Sequence, residues 1–120
     1  MKIERDGTSS GVEVIHLNGD FDLDNSPPVK EAIQSVAAAK KNVVIDMAEV
    51  NYIDSSGISL LISTHKSFLE NGRKLALSGV TRKCMRTFRF VLLNEVFTFY
   101  PSADLAKAAL IGPSEENVAI

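Results

Sequence analysis

The chain has one cysteine, no tryptophan and four prolines in 120 residues. Cys84 alone excludes an internal disulfide and a multi-cysteine metal site, which fits a reducing compartment. No sign of charge dominates: 13 Lys and Arg face 15 Asp and Glu, for a formal net charge of −2. That balance lacks the basic footprint of nucleic-acid binding. No apolar run approaches the ~20 residues that cross a bilayer. Met1 to Gly7 carries no apolar signal-peptide core, so the expected location is the cytoplasm, with no membrane partner. Internal repeats and low-complexity blocks are absent. So are a Gly-rich phosphate loop, a nucleophile elbow and paired catalytic carboxylates. No serine has an adjacent base motif to activate it. The expectation is a protein that is not an enzyme and holds no cofactor.

What the chain does contain suits one domain. The length lies in the single-domain range, and 45% hydrophobic residues suffice for one core. Residues 2–6 predict a short edge strand. Val12 to Leu17 predicts a strand closed by Asn18-Gly19. Asp20 to Asn25 reads as an acidic loop, and Ser26-Pro27-Pro28 as a helix start. There Ser26 would cap, and proline sits where an N–H is unpaired anyway. Val29, Ile33, Val36 and Ala37 share a face of that helix.

Val43 to Met47 is a near-continuous apolar run, the pattern of a central strand covered on both faces. A loop through Tyr52 and Ile53 then leads to Asp54-Ser55-Ser56-Gly57. Ile58, Leu61, Ile62, His65, Phe68 and Leu69 follow at helical spacing, and Asn71-Gly72 supplies the stop. Leu75 to Leu77 predicts a strand. Val80 to Leu92 predicts a helix burying Cys84, Met85, Phe88, Val91 and Leu92. Phe97 to Tyr100 reads as extended, Pro101-Ser102 opens a small helix through Leu110, and residues 112–120 read as a loose tail. Alternating strands and helices argue an α/β domain with some parallel pairing.

In such sheets functional loops gather at the carboxyl ends of strands, which singles out Asp54 to Gly57. One reading is capping, since a side-chain oxygen there accepts an orphan backbone N–H. The other is that a hydroxyl accepts a phosphate, because a helix N-terminus tolerates an anion. The dipole would gain only about 0.3–1 kcal/mol, and Asp54 with Asp20, Asp22 and Asp24 would offset that gain if close. Modification should therefore leave the fold intact. Like-charge contact at a packed interface costs several kcal/mol, and about 3 kcal/mol weakens binding roughly a hundredfold. A switch here acts on partner binding. His16, His65 and Cys84 read as structural. Arg82, Lys83, Arg86 and Arg89 read as a solvated helix face.

Asp54-Ser55-Ser56-Gly57-Ile58 followed by Leu60-Leu61-Ile62 resembles the signature of bacterial anti-sigma-factor antagonists, in the STAS-domain family. Leu17-Asn18-Gly19-Asp20-Phe21-Asp22 resembles the family's early Gly–acidic–apolar stretch. Val44-Ile45-Asp46-Met47 with Val50 and Ile53 resembles its central strand. Leu77-Ser78-Gly79-Val80 and Leu93-Asn94-Glu95-Val96-Phe97 resemble its later segments. The chain departs from the pattern at Pro27-Pro28, at Cys84 and at Ser59, where a glycine is common.

The resemblance implies a single STAS-like α/β domain over residues 1–111. Its mixed sheet would have about four to five strands packed with about four helices. It implies that Ser55 is the phosphorylated residue. Asp22, Asp54, Ser56, Gly57 and Ile58 would complete the switch and partner surface. The implied partners are an anti-sigma factor that is also a serine kinase, which supplies the ATP, and a phosphatase of the PP2C type. Two alternatives stand beside this reading. One is a STAS scaffold in a sensory or transport assembly that works without phosphate. The other is a receiver domain phosphorylated on aspartate, with Asp20, Asp22 and Asp24 imitating its acidic pair.

Overall fold

A computed structural model describes residues 1–7, 11–90 and 96–111. The elements are β1 (Lys2–Asp6), β2 (Val12–Phe21), α1 (Ser26–Ala38), β3 (Asn42–Ile53), α2 (Ser55–Glu70), β4 (Leu75–Ser78), α3 (Arg82–Phe90), β5 (Thr98–Tyr100) and α4 (Ala103–Ile111). The strands lie in the order β1-β2-β3-β4-β5. β1 pairs antiparallel with β2, and the other neighbours pair parallel. A receiver domain has its parallel strands in the order 2-1-3-4-5, so that alternative falls. The single STAS-like α/β domain with a mixed sheet stands.

Side chains alternate across a strand, and both faces are used. Ile15, Leu17, Val43, Ile45, Leu75 and Leu77 join one cluster with α1, α2 and α3, through Val29, Ile33, Leu61, Phe68, Cys84 and Phe88. Val12, Val14 and Val44 join Ala106 of α4 on the other face. Phe88, Phe97 and Phe99 meet edge to face, with centroids 5.6–6.4 Å apart, a favoured aromatic geometry.

Several boundaries differ from expectation, each for a local reason. β2 runs on through Asn18-Gly19 to Phe21, because Gly19 adopts φ +124° beside the Met1 backbone. Asp20 and Phe21 are therefore strand residues, and the acidic loop is shorter. β3 continues past Met47 to Ile53. Its register with β2 slips between His16 and Asn18 and again between Gly19 and Asp20. Each slip adds one residue to β3, which breaks the period-2 pattern while the ladder continues. Ser26 is the first helical residue and not the cap: the N-cap position is Asn25, whose side chain makes no cap bond. The Ser26 hydroxyl donates to the Asp22 carbonyl instead, at 2.8 Å.

In α2 the buried stripe is Gly57, Leu60, Leu61 and Phe68. Ile62 and Leu69, expected inside, are exposed, because Leu60 and Leu61 turn the helix so that they and Phe68 fill the inward face. Thr64 lies on that side and hides its hydroxyl on the Leu60 carbonyl at 2.7 Å. α3 starts at Arg82, with the Thr81 hydroxyl accepting from the Cys84 N–H. Cys84 and Phe88 are buried as expected. Val91, Leu92, Leu93 to Glu95 and the tail 112–120 lie outside the described residues.

β1 is mostly exposed and is pinned by one ion pair. Arg5 Nε bonds the carboxylate of Glu13, and its Nη1 donates to Ser35 Oγ of α1 at 3.0 Å. The Glu13 side chain is 7% exposed against 40% for Arg5, so removing Arg5 strands a buried carboxylate. Arg5→Ala is expected to cost about 1–3 kcal/mol in urea unfolding. Adding Glu13→Leu to it should restore part of that loss; an unchanged midpoint in the single variant would refute the pin.

His65 packs on Phe97 with centroids 5.1 Å apart, and its Nδ1 is buried without a partner. Burial pushes its pKa below the usual value, while the Val96 and Leu75 backbone pulls weakly the other way. The unfolded chain then binds a proton near pH 6.5 that the folded chain resists. The stability of the native protein relative to His65→Phe should fall as pH drops from about 7 to 5. Parallel pH profiles for the two would count against this.

Candidate functional site: the entrance to α2

β3 ends at Ile53, and its parallel partner β2 ends opposite at Phe21. The chain must leave the sheet here and turn into a helix. Asp54 makes the turn in extended conformation, with φ −102° and ψ −176°. Its Oδ1 accepts from the N–H groups of Ser56 at 2.9 Å and Gly57 at 3.1 Å. Those are two of the four N–H groups that every helix start leaves unpaired. Its Oδ2 accepts from the Leu23 N–H at 3.2 Å, and its own N–H donates to the Phe21 carbonyl at 3.2 Å. One aspartate thus caps α2 and ties down the loop that follows β2.

Gly57 lets the helix sit this close. A Cβ built there would lie 2.7 Å from the Phe21 carbonyl oxygen and 2.8 Å from Ile53 Cγ1. Both are parts of the sheet and cannot move aside cheaply. Phe21 itself is fully buried, so strand end and helix start share one contact.

Asp22 works on the loop and not on α2. Its Oδ1 accepts from the Asn25 N–H at 3.1 Å, and its carbonyl takes the Asn25 N–H and the Ser26 hydroxyl. Asn25 Nδ2 reaches back to the Asp20 carbonyl at 2.8 Å. The loop is therefore internally bonded and anchored to α2 at Leu23. Ser56 and Ile58 are half-buried, and Ile58 packs on the core.

Ser55 differs from all of these. It is the first residue of α2 and is exposed. Its hydroxyl joins no hydrogen bond among the described residues. Capping, the ordinary explanation for a hydroxyl here, is done by Asp54. Ser55 is left free to react.

Sequence reasoning missed two neighbours. Leu23 is 69% exposed and Tyr52 is 46% exposed. Tyr52 sits on the last turn-ward stretch of β3, paired opposite Asp20. A lone leucine between Asp22 and Asp24 was the available signal. Its backbone is held by Asp54 while its side chain points to solvent.

Among the described residues no three His, Cys, Asp or Glu side chains are arranged to hold a metal ion. His16 Nδ1 pairs with Asp46 Oδ2 at 2.6 Å, across β2 and β3. No helix of the described residues is long and apolar enough to cross a membrane.

This geometry defines a small α/β domain. Among the described residues its helix entrance presents one exposed, unbonded hydroxyl, that of Ser55, beside the half-buried Ser56. The STAS domain model matches residues 6–106, and the chain belongs to the STAS family. It is 32% identical over 84 residues to an anti-sigma-B factor antagonist of Listeria monocytogenes, covering 68% of this chain and 73% of that protein. Its fold is similar to an anti-sigma factor antagonist of Mycobacterium paratuberculosis, at TM-score 0.82 and 24% identity, over 92% of this chain and 94% of the other. It is also similar to the Bacillus protein SpoIIAA in its phosphorylated form, at TM-score 0.69 and 14% identity, over 88% and 97% of the chains.

Gly57→Ala is expected to destabilise the fold by about 1–3 kcal/mol through overpacking against Phe21. Asp54→Ala should cost about 1–2 kcal/mol, and Asp54→Asn less, since the amide oxygen still accepts. Thermal melts of the three variants check the order; a neutral Gly57→Ala would show that the close approach is not needed.

Proposed function

We propose that this chain is an anti-sigma-factor antagonist switched at Ser55. In its unphosphorylated form it binds, in the cytoplasm, an anti-sigma factor that is also a serine kinase. That binding frees the sigma factor. Asp22, Asp54, Ser56, Gly57 and Ile58 shape and present the contact surface, with Leu23 and Tyr52 adding exposed apolar area. The kinase brings ATP; as the Ser55 oxygen bonds the γ-phosphorus, the bond to the β–γ bridging oxygen breaks, ADP leaves and the hydroxyl proton passes to a base on the kinase. A PP2C-type phosphatase removes the phosphate. The chain does not catalyse either step.

One observation carries this reading: Ser55 is exposed and unbonded while the fold around it is held by other groups. Phosphate at Ser55 disturbs none of the bonds made by Asp54, and the local dipole tolerates it. Asp54 and the nearby Asp22 already make the entrance acidic. About two further negative charges are costly only once a partner excludes water from them. The family membership and the antagonist relatives support the same assignment.

Phosphopeptide mass spectrometry on protein from its native host should find Ser55 modified in part of the population. Ser55→Glu should weaken binding to the kinase about a hundredfold with a melting temperature near that of the native chain. Ser55→Ala should bind and resist modification. Ser55 bare under all growth conditions, together with full binding by Ser55→Glu, would sink the switch.

A further inference from the structure

The outward side of α3 lies apart from the α2 entrance. Arg82, Lys83, Arg86 and Arg89 are all exposed. At about 100° per residue they share an arc of roughly 120°, opposite the buried Cys84 and Phe88. The sequence of the helix, RKCMRTFRF, contains no acidic residue.

This arrangement works against the helix itself. Arg82 and Lys83 stand in the first turn, where the positive end of the helix dipole disfavours cations. Arg82 and Arg86 are like charges at i,i+4, and Lys83–Arg86 and Arg86–Arg89 are like charges at i,i+3. Among the described residues none of the four joins an ion pair or hydrogen bond. A face that needed only solvation would be served by uncharged polar residues at lower electrostatic cost.

The rest of the molecule has the opposite sign. Outside α3 nine basic residues face all fifteen acidic ones, a net charge of −6. Duplex nucleic acid and anionic bilayers present broad negative surfaces that would press this acidic body against like charge. The apolar side of α3 is buried in the core and cannot enter lipid. A discrete acidic patch on a protein meets only the cations. It need span little more than the ~13 Å of a nine-residue helix, and a screening length of about 8 Å hides the acidic body from it.

The buried side of α3 is tied to the strand that leads into the switch. The Cys84 thiol bonds the Val50 carbonyl at 3.6 Å, and Val50 precedes Ser55 by five residues. Five residues of extended chain reach at most about 18 Å. A standard interface of roughly 800 Å² per partner spans such a distance.

We propose that the cationic face of α3 is a docking surface for an acidic patch on the same protein that binds the α2 entrance. The identity of that partner rests on the switch reading above; the basic surface does not. The patch is drawn to α3, and phosphate on Ser55, up to about 18 Å away, repels it only where salt screening is weak.

A decaglutamate peptide titrated into the ¹⁵N-labelled full chain tests the surface. Amide shifts should concentrate in residues 82–90 and vanish above about 0.5 M salt. The variant R82Q/K83Q/R86Q/R89Q should lose peptide binding at least tenfold. The control K30Q/K40Q/K66Q/K74Q, which removes as much charge elsewhere, should keep it. Melting curves confirm that both variants fold. Ser55→Glu should lower peptide affinity about twofold at low salt and not at high salt. Equal losses in the two quadruple variants, or shifts spread over the surface, would overturn the docking site. Tighter binding of a DNA duplex or of phosphatidylserine vesicles to the same amides would overturn its assignment to a protein partner. No effect of Ser55→Glu would separate α3 from the switch. A docking face that passes while Ser55 is never phosphorylated would leave the surface standing and remove the switch reading.

Discussion

Three stretches of backbone meet at Asp54: the end of the β2 strand, the loop after it and the first turn of α2. The Asp54 N–H reaches Phe21, one carboxylate oxygen takes Leu23, and the other takes Ser56 and Gly57. None of these bonds is long-lived in isolation, since a single hydrogen bond contributes only about 1 kcal/mol net. Together they run through one residue, and they are backed by the close approach of Gly57 to the Phe21 carbonyl. The position of every other group at the entrance follows from this junction. It also separates two duties that could have conflicted. The residue that fixes the entrance makes the bonds, and the residue beside it, Ser55, is exposed.

The entrance itself was readable from the chain because its chemistry is local. An aspartate before two serines and a glycine, after an apolar strand and before a helical repeat, has few structural interpretations. The central core was equally plain in Val43 to Met47 and in Val29, Ile33 and Val36. What escaped notice depended on tertiary contact. The slips in β3 hide its second half, since Ala48, Glu49 and Asn51 interrupt the alternation that marks a strand. The facing of α2 was misjudged because the spacing from Ile58 to Leu69 passes over Leu60, which lies inside with Leu61 and Phe68. Ser26 looks like a cap in sequence, yet Asp22 draws its hydroxyl away. Leu23 and Tyr52 gained significance only when the fold set them beside Ser55.

Charge is distributed with the same separation of duties. The Arg5–Glu13 pair serves stability and is half hidden from water. His16–Asp46 ties neighbouring strands. The cations of α3 serve neither purpose within the described residues, and the acids around Asp22 and Asp54 are occupied by backbone N–H groups. Both pairs are half hidden from water, and the four cations of α3 are exposed.

The strand order has a consequence for synthesis. Each strand pairs with the one made just before it, from β1 through β5. The parallel part of the sheet closes through connections spanning one helix, while the face carrying Val12, Val14 and Val44 is covered only once α4 is made. Low sequence separation between contacting elements speeds folding, and chains emerge from the ribosome N-terminus first at ~5–20 residues per second. The sheet can therefore grow in step with translation. The β2–β3 pair and the α2 entrance precede the basic helix and the last strand in the chain, so they are made first.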